Sequence, residues 1–156
     1  MKLSLNKEYA KRHLFVTIVM AGLGCWFAYD GFIRYPHTPA AELYRSIEGS
    51  DAPETVNLEA FKAQKTQTQY GFTVLAFLAA LVVGGRLLKS ARFAFDFDDA
   101  GFTANGKRFT YADISRVDRA QWEKKGIIRL HLASGESLTL DAWHHTGVKD
   151  FAAKIG

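Results

Sequence analysis

The stretch Tyr70–Leu88, YGFTVLAFLAALVVGGRLL, decides how the rest of the chain is read. The sixteen residues from Tyr70 to Gly85 carry no charge, and Arg86, Lys89 and Arg92 close the run. A bilayer core of about 30 Å takes roughly 20 mostly apolar residues when a helix rises about 1.5 Å per residue. The nineteen residues over 70–88 are long enough. They predict a transmembrane helix, with a membrane anchor before it and one small water-soluble domain after it.

Toward the N-terminus lies a second apolar block, Leu14–Ile33, LFVTIVMAGLGCWFAYDGFI, with Asp30 as its one charge. A cleaved signal peptide is the rival reading, but its apolar region runs only about 7–15 residues. This block is longer, and Trp26, Tyr29, Phe32 and Tyr35 have the character of an interfacial aromatic belt. An uncleaved span over 14–33 is expected, with Asp30 near enough to the interface to reach water or Arg34. Gly24 and Ala28 in this span, and Ala76, Ala80 and Gly84 in the second, recur every four residues. Small residues at that spacing let helix backbones approach closely in lipid, so the two spans should pack as a hairpin.

Charge sets the expected topology. Residues 1–13 form a basic tail, with Lys2, Lys7, Lys11 and Arg12 against Glu8, a balance of +3. The loop 34–69 has a balance of −1 and the segment 92–156 a balance of +1. The excess base flanks the apolar blocks, which is a topology signal rather than a nucleic-acid signal. Both termini are expected in the cytoplasm, with 34–69 outside an inner membrane. Within that loop, Thr38-Pro39 is read as the start of a helix over Ala40–Ile47. Asn57 is read as the cap of a second helix, carrying Leu58 and Phe61, that runs into the second span.

After the second span the pattern changes period. Phe93, Phe95 and Phe97 alternate with Ala94, Asp96 and Asp98, the mark of a half-buried strand. Asp99-Ala100-Gly101 turns, and Asn105-Gly106 is a two-residue hairpin signal. Further strands are expected over Lys107–Tyr111, Ile114–Trp122 and Ile127–Leu132, with a last one at Leu138 and Leu140. Val148, Phe151, Ala152 and Ile155 then fall on one stripe of a short helix with Thr146 as its cap. The predicted class is an α+β membrane protein: two transmembrane helices, then a small antiparallel β domain capped by a C-terminal helix.

That pattern resembles the bacterial pleckstrin-homology-like domains, in particular the YcxB-like group that follows two membrane spans. The residues that carry the resemblance are Asp98-Asp99-Ala100-Gly101-Phe102, Tyr111-Ala112-Asp113-Ile114-Ser115-Arg116-Val117, the strand Ile128–Leu132 and the helix Val148–Ile155. The resemblance implies a non-enzymatic domain that holds a protein partner, in an accessory or scaffold role. It also implies a family fold of seven strands, of which 92–156 supplies about six. By the same resemblance, the basic residues Lys124, Lys125 and Arg129 are a candidate surface for an anionic lipid headgroup or small ligand, an alternative to a solvated turn. A non-catalytic subunit of a membrane enzyme complex is a third reading.

No catalytic or cofactor chemistry is legible. The glycine pairs lie in apolar helices rather than in a strand-to-helix phosphate loop. The single Cys25 lies inside the first apolar block, which leaves no zinc spacing and no intrachain disulfide. His144-His145 is the one dense metal-like pair, and adjacent side chains point in different directions. No cofactor, metal or nucleic acid is expected; the bilayer and a protein are the expected partners.

Overall fold

A computed structural model describes all 156 residues, Met1–Gly156. The chain divides into two compact units, one of Phe15–Gly84 and one that joins Met1–Leu14 to Gly85–Gly156. In chain order the first elements are a strand β1 (Ser4–Leu5) and a helix α1 (Lys7–Tyr29). That helix widens into a π-type turn over Asp30–Arg34 and ends in a last turn α2 (Tyr35–His37). Helices α3 (Ala40–Glu48) and α4 (Leu58–Arg92) follow.

The helical unit is larger than its apolar blocks suggest. The continuous helix Lys7–His37 has 31 residues and α4 has 35. Both are long and apolar enough to cross a membrane, and only 17% of the most apolar stretch of each is buried. The segment between them is not an open loop. Leu43 is fully buried, Tyr35 and Ala40 are buried, and Tyr44 packs on Phe61 at 4.8 Å. Lys62 donates to the carbonyls of Pro36 and Thr38 at 2.9 Å each, which satisfies acceptors at the end of α2. The Thr38 hydroxyl bonds back to the Arg34 carbonyl at 2.7 Å instead of capping α3. Asn57 does cap α4, accepting from the Ala60 N–H at 3.0 Å.

The β unit carries β2 (Phe95–Phe97), β3 (Phe102–Ala104), β4 (Lys107–Phe109), β5 (Ile114–Asp118), a helical turn α5 (Trp122–Lys125), β6 (Ile127–Leu132), β7 (Ser137–Asp141), β8 (His145–Thr146) and α6 (Val148–Lys154). Its strands make two antiparallel three-stranded sheets, β2-β3-β4 and β5-β6-β7, and a two-stranded ribbon β1-β8. The β3–β4 hairpin turns at Asn105 (φ 50°) and Gly106 (φ 84°), the left-handed pair that such a turn needs. The acidic turn before β3 is built on Asp98, which accepts from the Ala100 and Gly101 N–H groups and, through both oxygens, from Arg108. The Arg108 hydrogen bond and the Ala100 N–H hold the Asp98 carboxyl down to about 2. Gly101 is required here, because a Cβ would sit 2.1 Å from the Phe109 carbonyl oxygen. Asp113 caps its own turn by accepting from the Thr110 N–H and hydroxyl.

Three boundaries differ from expectation. The fifth strand stops at Asp118 rather than Trp122, because Trp122–Lys125 closes a helical turn on Gly126. Thr146 does not cap the last helix. It belongs to β8, opposite Ser4, and Gly147 in the left-handed region precedes Val148. Most consequentially, residues 1–13 are not a free tail. Met1 and Leu3 pair with β2 (Leu3 N–H to Phe95 O, 2.9 Å; Phe97 N–H to Met1 O, 2.7 Å), Ser4–Leu5 pairs with β8, and Leu3 is in the core. The rest of the core mixes phenylalanines with the aliphatic residues Ile128, Leu130, Leu132, Leu140 and Val148. Phe151 on α6 stands edge-on to Phe95, Phe97 and Phe102 at 4.9, 5.2 and 5.7 Å, a preferred ring geometry.

A candidate binding cleft at the helix ends of the β unit

Within the β unit, the first turns of α1, the last turns of α4 and the β7–β8 segment line an open-sided cleft of about 400 Å³. Pockets of roughly 300–1,000 Å³ are the range for small-molecule sites. The cleft is organised around Tyr9, which is 1% exposed. Asn6 starts that helix by accepting from the Glu8 N–H at 2.9 Å, which sets Tyr9 on the inward face. The Tyr9 ring lies 4.0 Å from His13 and 4.4 Å from His144, and its hydroxyl is 3.4 Å from the Ser90 hydroxyl.

The histidines are held differently. His13 donates from Nδ1 to the Tyr9 carbonyl at 2.9 Å. His145, buried, donates from Nε2 to the Ser90 carbonyl at 2.9 Å and so ties β8 to the end of α4. His144 turns its Nε2 toward Asp141 at 3.6 Å. Desolvation pushes the His144 imidazolium below its ordinary range; Asp141 opposes this, and His145, His13 and Arg86 reinforce it. The rings of His144 and His145 are 6.3 Å apart and turned 73° to one another, so the pair does not converge on one point.

Arg86 and Lys89 line the same cleft from one turn of α4, with the Ser90 and Thr139 hydroxyls beside them. Neither cation forms an ion pair. Elsewhere in the unit, Lys107, Arg108 and Lys154 are bound to Glu136, Asp98 and Asp99. Asp141 is the one carboxylate of the lining, and its Oδ1 already accepts the Trp143 N–H at 2.8 Å. The cleft therefore offers hydroxyl, guanidinium, ammonium and imidazole groups around one committed acceptor.

The sequence-derived candidates lie elsewhere. Lys124 and Lys125 are exposed on α5. Arg129 is exposed on β6, directly opposite Asp118, and shares with it a shallow depression of about 70 Å³. The three basic residues do not converge on a comparable cavity. In the helical unit, a Cβ on Gly24 would meet the Phe77 ring at 3.0 Å and one on Gly84 would meet Thr17 at 3.2 Å. Ala76 and Ala80 are buried, and Ala28 is half-buried. Gly31 would likewise meet Tyr70 at 3.0 Å, so Thr17, Gly24 and Gly31 on one helix face Gly84, Phe77 and Tyr70 on the other. These contacts recur every seven residues on both sides, while Ala76, Ala80 and Gly84 on the second helix keep their four-residue spacing.

Sequence reading missed Tyr9, His13, Ser90, Thr139 and Asp141. The Arg86/Lys89 spacing and the His144-His145 pair were visible, but nothing local joins them to residues near the N-terminus. Comparison with protein-family models, curated proteins and solved structures returned no match.

Proposed function

We propose that this is an integral membrane protein whose two long helices anchor a non-catalytic, pleckstrin-homology-like binding domain at the cytoplasmic face of an inner membrane. The observation that carries the anchor is the outward face of the helical unit. Phe15, Ile18, Leu75 and Leu81 are 61–71% exposed there, while Gly24, Gly31, Thr73, Ala76 and Ala80 are among the buried positions of the two long helices. Water penalises such a surface heavily, and lipid does not. The +3 N-terminal segment and the Arg86/Lys89/Arg92 cluster, against the −1 segment between the spans, support cytoplasmic termini.

The pleckstrin-homology-like reading draws its support from strand count. Met1–Leu3 adds an edge to β2-β3-β4, which gives four strands, then three, then a helix. The segment before the first span supplies what 92–156 lacks. The domain's role on this reading is to hold a protein, with ligand sensing as the second reading because the cleft carries unpaired cations.

Phosphatase and fluorescent-protein fusions at residue 50 and at the C-terminus test the topology. Phosphatase activity is expected only at residue 50; an active C-terminal fusion would overturn it. Affinity capture of the full chain from detergent-solubilised membranes should retrieve a stoichiometric protein that is lost when the β unit is disrupted. A chain that retains the same companions without that unit would contradict the binding role.

A further inference from the structure

We propose that the cleft formed by Tyr9, Arg86, Lys89, Ser90, Thr139 and His144 binds a phosphate-bearing anion; this rests on the reading of the β unit as a binding domain. Three observations converge. The first is charge: Arg86 and Lys89, both exposed, stand one turn apart on α4, line the cleft together and have no carboxylate partner. A guanidinium beside an ammonium is the arrangement that suits phosphate oxygens. The second is donor supply. The Ser90 and Thr139 hydroxyls add neutral donors, and the one acid, Asp141, is engaged by the Trp143 N–H and faced by His144. A small oxyanion would satisfy these donors; a cation would meet Arg86 and Lys89. The third is room: the open-sided cleft, at about 400 Å³, is large enough for a headgroup-sized ligand.

Two sources share this chemistry, the phosphate of an anionic lipid and a soluble phosphate. The helix bearing Arg86 and Lys89 carries the apolar run up to Leu88, so the lipid source fits the proposed anchor.

The test uses the full chain in neutral detergent micelles, whose outcome does not depend on topology. Binding of short-chain phosphatidic acid and phosphatidylcholine is counted by native mass spectrometry, and binding of inorganic phosphate is measured by calorimetry. Phosphatidic acid should bind one-to-one, and phosphatidylcholine at least about tenfold more weakly. Arg86→Gln with Lys89→Gln should weaken binding by roughly tenfold or more, the scale of a lost charge-assisted hydrogen bond. Arg86→Lys with Lys89→Arg, which keeps the charge, should bind better than the glutamine pair. Lys124→Gln with Lys125→Gln should leave affinity unchanged. Binding of inorganic phosphate that competes with phosphatidic acid assigns a soluble ligand; lipid binding that phosphate does not displace assigns a headgroup. The proposal is overturned if the folded wild-type chain binds neither saturably, or if the 86/89 and 124/125 glutamine pairs lose binding equally.

Discussion

In the helical unit the buried positions are Gly24, Asp30, Gly31, Thr73, Ala76 and Ala80 along the two long helices and Tyr35, Ala40 and Leu43 around the segment that joins them, and most of the large apolar side chains of the long helices point outward. In the β unit the fully buried positions include Phe95, Phe102, Ile128, Leu130, Leu140, Val148 and Phe151. The same apolar residue types are thus sorted in opposite directions within one chain. A water-driven fold gains stability by removing apolar area from solvent, roughly 25 cal/mol per Å². That term cannot order the helical unit, whose largest apolar side chains remain outside; close packing at small residues is what it has instead. On the proposed membrane anchor the two units answer to different solvents, and each prediction below strains that reading at one point.

The largest effect is expected where the β unit is most like a soluble core. Phe151→Ala removes the ring that Phe95, Phe97 and Phe102 pack against and should cost about 3–5 kcal/mol. Lys149→Ala, on the exposed side of α6, should stay within about 0.5 kcal/mol. Chemical denaturation of the full chain in micelles, followed by near-ultraviolet circular dichroism, measures both.

The second effect concerns how the β unit is completed. Residues 90–156 alone lack Leu3 and the edge it brings to β2. They should melt at a markedly lower temperature or without cooperativity, because losing one buried leucine already costs about 2–5 kcal/mol. Residues 1–14 joined by a flexible glycine-serine linker to 85–156 should restore a cooperative melt. If 90–156 melts as sharply and as high as the linked chain, the N-terminal strand is an ornament.

A third change probes the helical unit. Gly24→Leu forces a side chain into the Phe77 ring and should weaken association of the two helices by roughly 1–3 kcal/mol. Val82→Leu, on an exposed face, should be nearly silent. Disulfide crosslinking between cysteines placed at residues 24 and 77 reports the pairing, and a yield no better than for outward-facing pairs would remove the contact.

The smallest effect is electrostatic. His144 has a folded pKa below its unfolded value, so below about pH 6.5 the unfolded chain binds the proton more readily than the folded one. Stability contributed by its neutral form is complete above that pH and falls as the pH drops through it. His144→Asn should flatten the decline between pH 7.5 and 5.5; an unchanged slope would show that the ring titrates freely.

Much of this was legible in the residues. The charge-free run at Tyr70–Gly85 and the alternation of Phe93, Phe95 and Phe97 each carry their own period, and Asn105-Gly106 carries its own turn. What was not legible depends on distance along the chain. Leu3 finds Phe95, and Ser4 finds Thr146 across 142 positions, and no local pattern marks a two-residue strand. Thr146 has the sequence look of a helix cap because the competing strand partner is invisible from nearby residues. The cleft was hidden for the same reason: its lysine, serine, histidines and tyrosine come from three separate stretches.

The most direct test of the central contrast is a spin-label scan along α4 in reconstituted vesicles. Labels at residues 75, 78 and 81 should show high collision rates with oxygen and low rates with a water-soluble nickel chelate, and labels at residues 62 and 64 the reverse. Residues 75, 78 and 81 as open to the nickel reagent as residues 62 and 64 would mean that the apolar face meets water, and the membrane-anchor account would fall.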